Sequence, residues 1–286
     1  MFKPFMAMHS SNTFLVPSQS TIGPGFYEAV AAALRSVFSR EEVSAMTGDG
    51  LERAVGQLLR YRNLKPTIEG KSYAAGGIQG ECDIVLEDEK TILFIECKAK
   101  ALTRAAMSGD PQDAVFAYLQ GVVASQAQAL QHESILRKEG RILFCDGAVL
   151  DLHGRDIVRV SLTLFDHGTL QDRFLFGQLA SHLSSSKLMT TGLVDKALRR
   201  RVEKTNEILD RLRRYLTEDL GKGAEMADLI WSRALPTASL AFGHLAIILL
   251  DHTTVSGLAN VLRKPATFAT GSVLKEYQYL RQTKLV

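Results

Sequence analysis

The chain is short of the residues that staple or punctuate a fold. It has three cysteines in 286 residues, Cys82, Cys97 and Cys145. Each stands alone in an apolar run and no pair has zinc-site spacing, so neither a disulfide framework nor a structural zinc is expected. An odd number of isolated thiols fits a reducing, cytoplasmic setting. A single tryptophan, Trp231, cannot make a base-stacking platform on its own. No apolar run reaches the roughly 20 residues of a membrane span. The most apolar stretch, residues 234–250, contains Pro236 and His244 and reads as a buried helix. Near the N-terminus Pro4, His9, Ser10 and Asn12 break any signal-peptide core, so no membrane contact is expected. Charge of one sign is lacking too. A net charge of +3 and a pI near 8.7 permit a nucleic-acid partner without demanding one.

What is present is ordinary for a globular chain: 46% apolar and 23% charged residues, enough to bury a core without staples. Three regions are expected: a leader and helix over 1–45, an α/β core over 46–168, and a mainly helical region over 169–286. Within the first, residues 1–24 read as irregular. A helix is predicted from Phe26 to Phe38, with Ala29, Val30, Ala33, Leu34 and Val37 inward. Thr47-Gly48-Asp49-Gly50 reads as a break before a second helix, Leu51 to about Arg62. Strands are predicted at Lys65–Tyr73, Cys82–Leu86 and Thr91–Ala99, the last two joined by the polar turn 87–90. A long helix from Pro111 to Lys138, ended by Gly140, precedes apolar strands at Arg141–Cys145 and Ile157–Phe165. The fold class is therefore α/β with a central mixed sheet.

The chemistry concentrates on two of these strands. Side chains alternate faces along a strand, so Glu96 and Lys98 share one face with Phe94 and Ile92. The strand is apolar on both sides, and charges buried at its end need a partner or a metal. In an antiparallel hairpin through 87–90, Asp83 falls opposite residues 94–96. On this pleat Asp83 shares a face with Val85 and converges with Glu96 and Lys98. Two carboxylates suit Mg2+, which takes hard oxygen ligands and keeps several waters; the backbone carbonyl of Cys97 could add a third oxygen. A cation there activates water, and Lys98 could orient that water or offset charge on phosphorus.

Gly80-Glu81-Cys82-Asp83-Ile84-Val85 followed by Phe94-Ile95-Glu96-Cys97-Lys98 resembles the signature of the PD-(D/E)XK nuclease superfamily, over roughly residues 50–145. Cys82 stands where that pattern has proline. The resemblance implies a restriction endonuclease-like αβββαβ core, with Asp83 and Glu96 as metal ligands and Lys98 as the catalytic lysine. It also implies Mg2+ as cofactor, replaceable by Mn2+, and DNA as the partner. It points to an acid from the preceding helix, Glu52, with Glu28 as rival, and to Gln126 from the long helix. The alternative for Glu52 is a first-turn glutamate favoured by the helix dipole. For Gln126 it is a residue at the edge of the stripe Val115, Leu119, Val122 and Leu130, bonded to a nearby carbonyl. The function expected is a metal-dependent endonuclease in defence or repair. The alternatives are a catalytically inactive nucleic-acid-binding or assembly module on the same fold, and an unrelated protein in which Glu96 and Lys98 pair at the surface. The segment 196–214 carries eight basic against three acidic residues, a second candidate for phosphate contact. The sequence allows a homodimer.

Overall fold

A computed structural model describes residues 6–7, 14–15, 19–183, 186–192, 195–218, 226–234, 236–263 and 273–283. In chain order the elements are β1 (Met6–Ala7), β2 (Phe14–Leu15), α1 (Gln19–Leu34), α2 (Arg40–Tyr61), β3 (Ile68–Ala75), β4 (Ile78–Glu87) and β5 (Thr91–Lys98). Then come α3 (Arg104–Met107), α4 (Pro111–Tyr118), a π-turn at Leu119–Val123, α5 (Ala124–Glu139), β6 (Arg141–Leu143), β7 (Val149–Asp151) and β8 (Asp156–Thr163). The last part holds α6 (Arg173–Leu183), α7 (Lys196–Thr217), α8 (Met226–Ala234), β9 (Thr237–Ala241), α9 (Phe242–Ile248), α10 (Val255–Arg263) and α11 (Val273–Gln282).

The central sheet has the order β3-β4-β5-β8-β9. β3, β4 and β5 run antiparallel, and β8 and β9 join parallel to β5. The fold is thus α/β around a mixed five-stranded sheet. One face packs Ile84, Leu86, Leu93, Ile95 and Cys97 against Leu51, Val55 and Leu59 of α2 and against α9 and α10. The other packs Val85, Ile92 and Phe94 against Ala129, Ile135 and Leu136 of α5. Among the described residues no helix is long and apolar enough to cross a membrane.

Several elements depart from the sequence expectations for identifiable reasons. α1 starts earlier, and its inward side is Ala31 with the partly buried Tyr27 and Leu34, whereas Val30 and Val37 are exposed. The segment is apolar all round, so its periodicity does not select a face. The break expected at 47–50 is absent, because α2 begins at a capping box. Glu42 N donates to Ser39 Oγ (3.2 Å) and Ser39 N to Glu42 Oε2 (2.8 Å). Each mid-helix glycine costs about 1 kcal/mol, and the burial of Val43 and Leu51 on either side offsets Gly48 and Gly50.

The strand expected at Arg141–Cys145 forms a small hairpin with β7 and touches the sheet at its β3 edge alone, where Phe144 bridges Tyr73 and Cys145 N donates to the Ser72 carbonyl. The sheet strand that follows the long helix is β8, whose ladder with β5 runs unbroken from Thr91↔Asp156 to Lys98↔Thr163. The region beyond 169 is mainly helical but adds an edge strand. Residues 237–241, expected within a buried helix, are fully buried β9, and only 242–248 are helical. Pro236 can stand at the start of a strand, and the parallel ladder with Arg159–Thr163 of β8 holds 237–241 extended against their local propensity. Leu240, Leu245 and Leu258 share a core with Val158 and Ile95, so this region completes the sheet.

Candidate active site

Three local features shape the site. The first is the β3–β4 hairpin, in which Ala75 pairs with Ile78 across Gly76 and Gly77, both at positive φ (56° and 77°). This is the two-residue turn whose twist suits paired strands. The second is a fault in the pleat. The β3–β4 ladder runs from Glu69↔Ile84 to Lys71↔Cys82 and skips Gly70 and Asp83, with Gly70 at φ 55°. Cys82 and Val85, three residues apart, pack on the α5 side, while Ile84 and Leu86 pack on the α2 side. Asp83 therefore does not share a face with Val85 as the alternation predicted. The third is a splay. The β4–β5 ladder ends at Ile84↔Ile95, and past that point Asp83 Oδ2 accepts a hydrogen bond from Cys97 N at 2.7 Å. A side chain takes the bond a strand neighbour would have made.

Asp83 consequently sits in the gap between the diverging strands and also lines a cleft against α2 with Asp49, Glu52 and Gln57. Glu96 and Lys98 turn to the α5 side. Glu96 is fully enclosed (0% exposed), and its Oε1 meets His132 Nε2 at 3.1 Å. Lys98 Nζ donates to Gln128 Oε1 (3.2 Å), and Gln128 Nε2 donates to the carbonyl of Glu81 (3.0 Å). The predicted convergence on one face does not form: Asp83 lines the α2 side while Glu96 and Lys98 face α5, and what links them is electrostatic range across the splay. The enclosure of Glu96 removes the surface-ion-pair reading of Glu96 and Lys98.

The electrostatics tie these groups together. Burial, and then the neighbouring Glu96 carboxylate, pushes Asp83 up to about 8 against the opposing pull of Lys98 and the Cys97 N–H bond. Glu52 is also pushed up, by burial and by Asp49 and Glu81, with Lys98 opposing and Glu96 adding. Glu52 adds a further, smaller upward push on Asp83, while Glu28, on α1, is not among the groups acting on it. Glu96 Oε2 is buried and has no hydrogen-bond partner among the described residues. Cys97 turns its thiol into the α2-side core, where burial holds it well above the ordinary thiol range. Only its backbone could serve a cation. Among the described residues no three histidine, cysteine or carboxylate side chains form a ready-made cage. Asp83 and Glu96 are the two carboxylates that could be offered to a cation, and Mg2+ takes one or two when waters and substrate oxygens fill the remaining positions.

Gln126 is not part of this group. Its Nε2 donates to Ser161 Oγ (2.7 Å) and the Ala238 carbonyl (3.3 Å), and its Oε1 accepts from Thr237 Oγ1 (3.2 Å). It binds α5 to β8 and β9. Leu119, Val122, Gln126 and Leu130 are all buried, as the stripe predicts, and the bond to the Ala238 carbonyl is the alternative expected for Gln126; the stripe member that falls off is Val115, on the other side of the π-turn at 119–123. Val115 is in fact 48% exposed. Gln128, Gln131 and His132 face the site instead. The sequence signal that could have found them is the run Gln126-Ala127-Gln128-Ala129-Leu130-Gln131-His132, too polar for a helix that buries this much.

A basic patch adjoins the site. Lys100 Nζ donates to Gln120 Oε1 (2.5 Å), and Gln120 Nε2 to Thr205 Oγ1 on α7 (3.0 Å). Partial desolvation, then Arg201 and Lys204, lower the Lys100 ammonium, so these three cations lie within electrostatic range. Arg201 also pairs with Asp113 (2.5 Å). Compared with protein-family models, with curated proteins and with solved structures, the chain matches none.

Proposed function

We propose that this chain is a divalent-metal-dependent endonuclease that hydrolyses DNA phosphodiester bonds, built on a PD-(D/E)XK-like core. The observation that carries the reading is the Asp83–Cys97 bond across the splay, beside a buried Glu96 whose second oxygen has no partner. A fully buried carboxylate oxygen left unsatisfied costs free energy unless a cation or donor meets it, so the residues fit a divalent ion. Asp83 and Glu96 would hold it, with the Cys97 carbonyl as a further oxygen. Such an ion would supply a lowered water pKa and charge neutralisation at the phosphate.

The chain's own groups account for the rest. Lys98, held by Gln128 and within electrostatic range of Asp83 and Glu52, orients the attacking water and offsets charge developing on the phosphate oxygens. Glu52 lies on the cleft side, within range of Lys98 and Asp83, where it can accept a hydrogen bond from that water. Water adds to phosphorus as the bond to the leaving oxygen breaks, giving one phosphate monoester and one hydroxyl. Lys100, Arg201 and Lys204 supply phosphate contacts that position a strand without reading its sequence.

The full enclosure of Glu96 favours a second reading, a binding module on the same fold that has no catalysis. Incubation with supercoiled plasmid and Mg2+ separates the two. The enzymatic reading expects nicking or linearisation that is abolished by EDTA and by Lys98→Ala. Retention of plasmid without any cutting supports the binding module, and cutting that survives both treatments removes these residues from the chemistry.

A further inference from the structure

Behind Glu96 lies a chain of buried hydrogen bonds that the motif does not contain. Gln131 Nε2 reaches both the Gln79 carbonyl (3.1 Å) and Tyr73 Oη (3.3 Å). Tyr73 Oη meets His132 Nδ1 at 2.6 Å, and His132 Nε2 meets Glu96 Oε1 at 3.1 Å. Tyr73, His132 and Glu96 are each no more than 1% exposed. The phenol has a built seat: a Cβ on Gly80, its cross-strand partner, would stand 2.3 Å from Tyr73 Oη.

The direction of every bond follows from one fixed end. A backbone carbonyl only accepts, so the Gln131 group facing Gln79 is the NH2. That NH2 then donates its second hydrogen to Tyr73 Oη. Burial raises the Tyr73 phenol above its ordinary value, so Tyr73 keeps its proton and gives it to His132 Nδ1. An Nδ1 that accepts leaves the neutral ring's proton on Nε2, which donates to Glu96 Oε1.

We propose that His132 is a positioning residue for Glu96: locked by Gln131 and Tyr73 as the Nε2–H tautomer, it occupies Oε1 and leaves Oε2 as the oxygen offered to a divalent cation. The inference rests on the metal-dependent reading above for what Oε2 binds, while the tautomer stands on the hydrogen bonds alone. Outer partners of this kind fix ligand orientation, and removing one typically costs about 10–100-fold in metal affinity.

The test has two parts. In 15N NMR of the histidine-labelled full chain without metal, the His132 ring must carry its proton on Nε2; a proton on Nδ1, or on both nitrogens, at neutral pH overturns the proposal whatever the protein's activity. Mn2+ binding is then titrated by calorimetry in variants first checked by circular dichroism and thermal melting. His132→Gln retains an N–H donor toward Glu96 and should bind within about 3-fold of wild type, while His132→Phe, which fills the space without a donor, should bind about 10–100-fold more weakly. Equal affinity in all three proteins, or equal loss in both variants, overturns the positioning role. If His132→Phe does not fold, Tyr73→Phe serves instead: a shift of the ring proton away from Nε2 supports the relay, and an unchanged tautomer refutes it. A wild-type protein that shows the Nε2–H tautomer but binds no Mn2+ overturns both the positioning role and the metal site. A wild-type protein that binds Mn2+ with variants unaffected overturns only the role of His132.

Discussion

Asp83 and Cys97 are joined by a side-chain-to-backbone bond of 2.7 Å at the point where their strands stop pairing. The bond holds a carboxylate in the opening of the sheet, within electrostatic range of the fully buried Glu96. Two like charges within range disfavour mutual ionisation, and the proposed cation would relieve that.

Lys98→Ala should lower Mg2+-dependent plasmid cleavage by about 10²–10⁴-fold, the usual range for a lost proton-handling group. DNA affinity measured in Ca2+ should change by less than about 3-fold, because phosphate contacts elsewhere carry binding. An equal loss of binding and cleavage would make Lys98 a docking residue only.

The Asp83 carboxyl, at about 8 in the folded protein against about 3.9 in an unfolded chain, binds its proton more tightly in the native state. Its contribution to stability is therefore full below about pH 4 and lost as pH rises through 8. In EDTA the wild-type protein should melt at lower temperature at pH 9 than at pH 6. Asp83→Asn, which keeps an acceptor for Cys97 N, should lose much less over that interval. The effect on stability is on the order of a few kcal/mol at most. Mg2+ should restore the wild-type melting temperature at pH 9, because the ion binds the ionised form. Parallel pH profiles for the two proteins would contradict the account.

Gln126→Leu should cost about 1–3 kcal/mol of stability by taking away the acceptor of the buried Thr237 hydroxyl and the donor to Ser161 and the Ala238 carbonyl, without changing cleavage per folded molecule. Gln128→Leu should do the reverse, leaving the melting temperature within a few degrees and lowering cleavage through a looser Lys98. Urea unfolding paired with initial cleavage rates reads both. A cleavage defect confined to Gln126→Leu would restore Gln126 to the site.

Neutralising Lys100, Arg201 and Lys204 one at a time should each reduce the salt dependence of DNA binding by about one unit in the slope of log affinity against log salt concentration, irrespective of sequence. An unaltered slope would mean that the DNA does not cross this face.

The hairpin, its register and the acids on it were legible in the sequence because strand alternation and the polar turn at 87–90 are local signals. The antiparallel ladder of β4 and β5 forms but ends at Ile84↔Ile95, one residue short of Asp83, which the expected register set opposite residues 94–96. What alternation could not show is the fault at Gly70 and Asp83. A single positive-φ glycine on β3 moves Asp83 out of the pleat, and its pairing partner is fixed only once three strands assemble. On the helix, apolar spacing marks Gln126 as inward, which it is, but spacing does not say whether an inward amide meets a strand carbonyl or the acids; Gln126 meets the Ala238 carbonyl, and Gln128 and His132 meet Lys98 and Glu96. β9 was hidden because its five residues are all buried, and a short run without alternation reads equally as helix or strand.

The central claim is that Asp83 and Glu96 together bind a divalent cation. A crystal of the wild-type protein soaked in Mn2+ and measured at the manganese absorption edge tests it most directly. The account predicts one strong anomalous peak about 2.0–2.4 Å from an oxygen of Asp83 and from Glu96 Oε2, absent from an Asp83→Asn crystal treated identically. A saturating soak that leaves no peak between those two carboxylates, with Glu96 still bonded to His132 and closed off from the cleft, would contradict it.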